Sequence, residues 1–280
     1  MMQIETTYCI IDEIVKIIMP KKEAGRKPKL SVSETITILI EGQKRGYSMD
    51  KQLYELIKYG SLKHCFKVPS YSQFNRSIRA SRKYLESVIE QLTKISAGAR
   101  ELYIIDSTAL PINKFNGPVA KWGLHSAQMS KNMHGWYQGY KLHLVTNDQL
   151  QIVSVLVTPA NVHDVTTLEN VSFINKFKGI LVADKGYIAR DSVRKKLLNH
   201  GIKLIAKQRQ DMDPYLNQHY ASLLSQRRKI ERIFAYFKKS LSGLRRHART
   251  EDGFLAYPLA AVITYIFRFS NENSLMTAFC

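Results

Sequence analysis

Apolar and polar positions alternate with two different periods along this chain, and the change from one to the other divides it. Up to about residue 95 the spacing is helical. Thr6–Met19 carries apolar residues every third or fourth position and stops before Pro20. A polar basic connector follows, and a second helix opens at Ser31, with Glu34 placed for a capping box. Met49–Gly60 forms a third, short helix. A long fourth begins after Pro69, where Ser70 and Gln73 make another capping box. Phe74, Ile78, Leu85, Ile89 and Leu92 share its apolar face, while Arg76, Arg79 and Lys83 share another. A short helix, a turn and a helix basic in its first half suit DNA reading in the helix-turn-helix manner. They suit a solvated bundle face equally well.

After "SAGAR" (Ser96–Arg100) the period becomes that of strands. "ELYIID" predicts a strand ending at Asp106. "GYKLHLVT" and "QIVSVLVT" predict a hairpin turning through "NDQL". A helix over 165–176, the strand "GILVAD" ending at Asp184, a helix over 190–201 and the strand "IKLIA" follow. Next comes a long basic helix, and then "PLAAVITYIF", which is too short to span a bilayer and reads as a buried helix. This order implies an α/β fold, a mixed sheet flanked by helices, preceded by a small all-α domain. The expected boundary separates a helical domain, 1–95, from a second domain, 96–280.

Composition sharpens the picture. Forty-two Lys and Arg against 23 Asp and Glu leave a net charge of +19, spread along the chain, so polyanions and above all nucleic-acid backbones are the expected partners. Three scattered cysteines without a CxxC argue against a disulfide framework or zinc knuckle and suit a reducing cytoplasm. No P-loop, GxSxG or signal-peptide pattern is present, and no membrane is expected as a partner.

Against this basic background three acids draw attention. Asp106 and Asp184 follow apolar strand runs, and Glu231 stands in "QRRKIERIFAYFKK". If the first and fourth strands are neighbours, the two aspartates converge at one sheet edge, where a crossing helix can deliver Glu231. Carboxylates gathered so closely repel unless a cation neutralises them. Mg²⁺ or Mn²⁺ takes such oxygen ligands, and a pair of ions suits in-line displacement at phosphorus. Arg227, Glu231 and Lys238 fall on one helical stripe within about 40°, so cations that grip DNA phosphates would flank the acid. The plainer reading pairs Glu231 with Arg227 at i, i+4. His163 and Asp164 sit beside the third strand, as auxiliary groups near the ions or, for Asp164, as the N-cap of the next helix. Between the first two strands lies a basic segment with Trp122, Trp136 and Tyr137. These rings suit stacking on unpaired bases, or pinning a surface loop.

In this order Asp106, Asp184 and Glu231 resemble the DDE triad of bacterial insertion-sequence transposases, whose catalytic domain is RNase H-like. "IIDST", "YKLHLV", "TPANVHDVTTL", "ADKGY" and "RRKIERIFAYFKK" match the style of that family over roughly 102–269. Its helix pattern, Tyr-x2-Arg-x3-Glu-x6-Lys, is met by Arg227, Glu231 and Lys238, whereas Leu224 stands at the tyrosine position. The resemblance implies a DNA transposase using Mg²⁺ (or Mn²⁺), as two ions held by the three acids. Such an enzyme binds the terminal inverted repeats of a mobile element and nicks them with metal-activated water. It then joins the freed 3′-OH to double-stranded target DNA. The resemblance further implies a homodimer or higher oligomer on DNA and a bacterial cytoplasmic, nucleoid-associated location. A metal-dependent nuclease without transposition, or a DNA-binding protein with a decayed site, would share much of this pattern.

Overall fold

A computed structural model of the protein describes residues 3–19, 28–114, 124–133, 135–209, 211–212, 215–240 and 250–279. Among these, four helices come first: α1 (Ile4–Ile18), α2 (Val32–Lys44), α3 (Asp50–Lys58) and α4 (Tyr71–Ser96). Then come β1 (Leu102–Lys114), β2 (Gln128–Asn132), β3 (Gly135–Asn147), β4 (Ile152–Pro159), α5 (Val171–Ile174), β5 (Gly179–Ala183), α6 (Asp191–Asn199) and β6 (Ile202–Ala206). The chain continues through α7 (Tyr215–His219), α8 (Ala221–Gln226), α9 (Arg228–Ser240), α10 (Glu251–Phe269) and α11 (Glu272–Phe279).

The chain forms two compact units. One comprises Met1–Ser96 and Tyr236–Cys280 with a short segment ending at Ser126. The other comprises Ala97–Gly117 and Ala127–Ala235. The units therefore do not follow the 1–95/96–280 boundary. The reason lies in α10, where every residue from Gly253 to Phe267 is buried. A helix that is apolar all round needs cover on all sides, and α2 and α4 supply it. Tyr257 adds a 2.7 Å hydrogen bond to Asp50. Both capping boxes form: the Ser31 amide donates to Glu34 and the Glu34 amide to the Ser31 hydroxyl, and Ser70 and Gln73 repeat the exchange. The predicted apolar face of α4 is buried throughout, with Val88 added to it. No single helix among the described residues is long and apolar enough to cross a membrane.

The second unit is built on a mixed sheet. β3 pairs antiparallel with β1 on one side and with β2 and then β4 on the other. β1 pairs parallel with β5, and β5 parallel with β6. A three-strand antiparallel meander extended by two parallel strands beyond its first member is the RNase H-like arrangement. The parallel pairing needs crossovers, and α6 provides the one between β5 and β6, packing on β6. Tyr103, Ile105, Leu181, Ala183, Phe173, Ile174 and Phe177 form the core on one sheet face. Gly179 brings β5 against the start of β1. Its φ is +131°, and a Cβ there would stand 2.4 Å from the Glu101 carbonyl oxygen, so only glycine fits.

Three elements differ from expectation. β1 does not end at Asp106 but runs on to Lys114, with an irregular register between Pro111 and Asn113. The helix expected over 165–176 is a 3₁₀ segment, Asp164–Glu169, and the short α5, divided at Asn170, whose side chain accepts from the Phe173 amide. Part of the expected loop between the first strands is a hairpin of β2 and β3.

Candidate active site

Asp106 and Asp184 are brought together by strand register. The β1–β5 ladder pairs Leu102 with Ile180 and Ile104 with Val182. Each aspartate lies two residues beyond the last of these pairs, so both continue the same line across neighbouring strands. Alternation along β1 puts Asp106 on the face opposite Tyr103 and Ile105, away from the core described above. β1's continuation past Asp106 gives the carboxylate a backbone anchor on each side. Asp106 is paired with Leu144 of β3, and the following Ser107 amide donates to Asp106 Oδ1 at 2.8 Å.

The third acid arrives from the helical segment that follows α7. α8 packs on β5, and a single residue, Arg227, which keeps right-handed helical dihedrals, separates it from α9. The Arg227 amide donates to the Leu224 carbonyl rather than continuing the α-helical pattern of i−4 bonds. The single long helix read from sequence is thus two helices joined at this arginine. Glu231 sits in the first turn of α9.

Arg227 holds the cluster together. Its Nη1 lies 3.7 Å from Asp106 Oδ2, its Nε 3.9 Å from Asp184 Oδ1 and its Nη2 3.5 Å from Glu231 Oε1. The i, i+4 pair with Glu231 therefore exists, but it is one contact of three. The acids differ in environment. The Asp106 side chain is only 19% exposed against 57% for Glu231. Burial drives the Asp106 pKa up from 3.8 to about 6, and the nearby Asp184 and Asp164 add to the rise; the Ser107 amide and Arg227 oppose it.

Behind the aspartates lies a polar network that the sequence reading did not identify. Lys141 Nζ donates to Asp164 Oδ1 at 3.0 Å and to the Val162 carbonyl at 2.9 Å. His143, fully buried, has Nδ1 3.4 Å from the Tyr187 hydroxyl and Nε2 2.9 Å from the Thr158 hydroxyl. Burial pushes the His143 pKa down to about 4, so the ring is neutral near pH 7. Tyr187, in the 3₁₀ turn directly after Asp184, is buried and its pKa is raised, chiefly by that burial and then by Asp164 and Asp106. A Cβ on Gly186 would stand 3.2 Å from Asp164 Oδ2, which shows how closely this turn approaches Asp164. The signal for the network was present in "YKLHLV": two polar side chains, Lys141 and His143, at alternate positions of an otherwise apolar strand.

Other expected residues fall elsewhere. Asp164 does not cap its helix. His163 holds the cap position without a side-chain cap bond, and the Asp164 carboxylate is engaged with Lys141 instead. Lys238 is exposed on α9, seven residues beyond Glu231. Arg76, Arg79 and Lys83 are exposed along α4. Trp136 is half exposed on β3, opposite Lys131 of β2, whereas Tyr137 is buried and has no face free for stacking. Trp122 lies outside the described residues, as does much of the basic segment after Ser240.

The donor set fits a hard divalent cation in its chemistry, being three carboxylates and no thiolate or imidazole. Among the described residues, however, no three His, Cys, Asp or Glu side chains converge closely enough to hold a metal ion. In this arrangement the Arg227 guanidinium offsets part of their charge.

No curated protein matches the chain. Among solved structures, the chain is similar to the "Mos1 transposase paired-end complex with left transposon end", at 12% identity and a TM-score of 0.25, over 80% of this chain and 82% of that one. The family model described as "Transposase DDE domain" matches residues 96–251, more than half of the chain and the whole of β1 to α9. The chain belongs to the DDE transposase family.

Proposed function

We propose that this transposase binds the ends of an insertion sequence, nicks them by hydrolysis and transfers the freed 3′-OH to target DNA. The observation that carries this reading is the convergence of Asp106, Asp184 and Glu231 on one guanidinium at the open end of the β1–β5 ladder. Asp106, Asp184 and Glu231 would hold Mg²⁺ (or Mn²⁺), most simply as two ions. When bound, such ions activate an attacking oxygen and stabilise the leaving one. The chain's own groups prepare the site. The β1–β3 ladder and the Ser107 amide fix Asp106. Tyr187 anchors the turn after Asp184 by reaching His143. Glu231, more exposed, is free to adjust at the rim.

DNA is gripped, in this reading, by cations rather than by the acids. Lys238 on α9 meets phosphates near the cut, and Arg76, Arg79 and Lys83 on α4 read the terminal repeats, with phosphate contacts positioning the duplex and base contacts specifying it. Trp136, exposed beside Lys131, offers a ring for an unstacked base, and Trp122 is assigned the same role. His163 and Asp164 act as auxiliary groups, Asp164 through Lys141. Joining both element ends in one event calls for at least two copies of the chain on DNA.

The test is direct. Purified protein is incubated with Mg²⁺ and DNA carrying the element's flanking ends, and nicked and joined products are resolved. The expected result is nicking at the repeat ends followed by strand-transfer products, both lost in Glu231→Gln. Nicking without any joined product would assign a nuclease instead. No metal-dependent nicking at all would reject the reading.

A further inference from the structure

Arg227 is placed where a DNA-gripping residue alone has no need to be. A side chain reserved for phosphate would extend from the helix into solvent. Instead its side chain is only 19% exposed, and three of its nitrogens face three different carboxylates. We propose that Arg227 is the resident counter-ion of the acid site: it offsets part of the charge of Asp106, Asp184 and Glu231 until a divalent cation displaces it, and the released guanidinium then takes a DNA phosphate. This rests on the functional reading above and assigns Arg227 a second role within it.

The geometry supports a group that is held but not locked. Charge-assisted hydrogen bonds to a carboxylate are made at about 2.7–2.9 Å, and a guanidinium forks onto one carboxylate through two of them. Arg227 does neither. Its contacts of 3.5, 3.7 and 3.9 Å are divided among three acids, so it balances charge without satisfying any one partner. Guanidinium remains protonated at any pH a protein experiences. It therefore cannot make way for another cation by losing its proton, only by moving. A divalent ion bound by the same three carboxylates would lie within a few ångströms of it, and two cations at that separation repel each other strongly on the half-buried side of the site, where Arg227 and Asp106 lie. Arg227 stands between α8 and α9 with right-handed helical dihedrals, so a change of side-chain rotamer is enough to redirect the guanidinium without moving the backbone.

Linkage gives the consequence. Occupancy of the acids by Arg227 and by a metal are competing states, so anything that draws the arginine away strengthens metal binding, and the reverse holds equally. DNA phosphate is a ligand of that kind. The acid site is thereby kept from loading fully until nucleic acid is present.

The experiment measures Mn²⁺ affinity of the full chain without DNA, by the paramagnetic resonance signal of the free ion. Wild type is compared with Arg227→Gln and Arg227→Lys, and with Asp184→Asn as a reference for the site. Circular dichroism confirms that each is folded. Arg227→Gln removes the competing charge and is expected to bind Mn²⁺ more tightly by roughly tenfold or more, within the ordinary range of coupling between ligands. Arg227→Lys keeps a charge there and should stay close to wild type. Equal or weaker Mn²⁺ binding in Arg227→Gln overturns the proposal, and so does equal tightening in both variants, since the effect would then not be one of charge. Asp184→Asn separates the two levels of inference. If it binds Mn²⁺ as well as wild type, the ion does not sit at the acids and the functional reading itself fails. If it loses binding while Arg227→Gln does not tighten, only the counter-ion role falls.

Discussion

Asp106→Asn should destroy strand cleavage and at the same time make the protein more stable at neutral pH. The reason is electrostatic. In the fold the Asp106 pKa is raised from 3.8 to about 6, mainly by burial. A group whose folded pKa lies above its unfolded one holds its proton more tightly in the native state. Stability attributable to it is fully present below pH 3.8 and is lost as the pH rises through about 6. Above that the ionised carboxylate costs the fold up to ~3 kcal/mol, taking ~1.36 kcal/mol for each pH unit separating the two pKa values. Relaxation around the site reduces this, so ~1–3 kcal/mol is expected, or several degrees in melting temperature. Asparagine keeps the shape and can still accept from the Ser107 amide, but it carries no charge to desolvate. The assay is a set of thermal melts in EDTA from pH 4 to 8. The gain of the variant over wild type should be near zero at pH 4, grow to pH 6 and then stay level. His143 provides an internal check. Its pKa is lowered from 6.5 to about 4, so its contribution to stability is lost as pH falls through that window, opposite in sign to that of Asp106. Removing Asp106 should therefore steepen the variant's own loss of stability on acidification. If Asp106→Asn melts at or below wild type at pH 7.5, the acid is a stabilising structural group and the reasoning fails.

Asp184→Asn and Glu231→Gln should each abolish Mg²⁺-dependent cleavage in a gel assay while leaving the circular dichroism spectrum unchanged. Lys238→Ala should weaken DNA binding and lower the slope of log affinity against log salt by about one, because one fewer phosphate contact releases counterions. Combined Arg76→Ala, Arg79→Ala and Lys83→Ala in the full chain should bind DNA but lose preference for repeat over scrambled duplex in competition; undiminished discrimination would move specificity elsewhere. A fragment beginning at Ser96 is the wrong vehicle for that question, since it would strip α2 and α4 from α10, which is buried from Gly253 to Phe267. Gly179→Ala should destabilise the protein by more than ~2 kcal/mol in urea unfolding, because the new Cβ meets the Glu101 carbonyl at a φ that only glycine adopts freely.

Much of the fold could be read from periodicity, and the exceptions have identifiable causes. The apolar face of α4 was legible because its five anchor residues recur at helical spacing and have nowhere to go but the core. β1 was read too short because Pro111 lacks an amide to donate and argues against a strand interior. The chain accommodates it with the register shift between Pro111 and Asn113. β2 was missed because Gln128–Asn132 shows no apolar alternation and is held by its ladder to β3. The place of α10 was hidden for the opposite reason: a helix apolar on every side has no face to indicate its partners. In the site, Asp106 and Asp184 were legible as acids beside apolar strand runs. Arg227 showed only its nearest relation, the i, i+4 spacing to Glu231, since contacts to two strands more than forty residues away leave no local pattern.

That partial legibility bears on which reading of Glu231 is right. As a surface pair, Arg227 and Glu231 would contribute about 0.3–0.5 kcal/mol. Such a pair needs no other acids, and a chain built only for stability gains nothing by adding them. Yet β1 and β5 deliver two further carboxylates to the same guanidinium, one of them buried enough to have its pKa raised to about 6. The burial penalty on Asp106 alone exceeds the whole return from the Glu231 pair. One arginine cannot neutralise three acids, so the cluster retains net negative charge within a chain of net charge +19. A local excess of that sign, set into a surface that attracts polyanions, disfavours both folding and DNA approach until more positive charge enters. On the proposed function a divalent cation would supply that charge, and it would restore the attraction to phosphate at the acids. The surface-pair reading accounts for one contact of the three; the metal-dependent reading proposed above would account for all three and for the burial of Asp106.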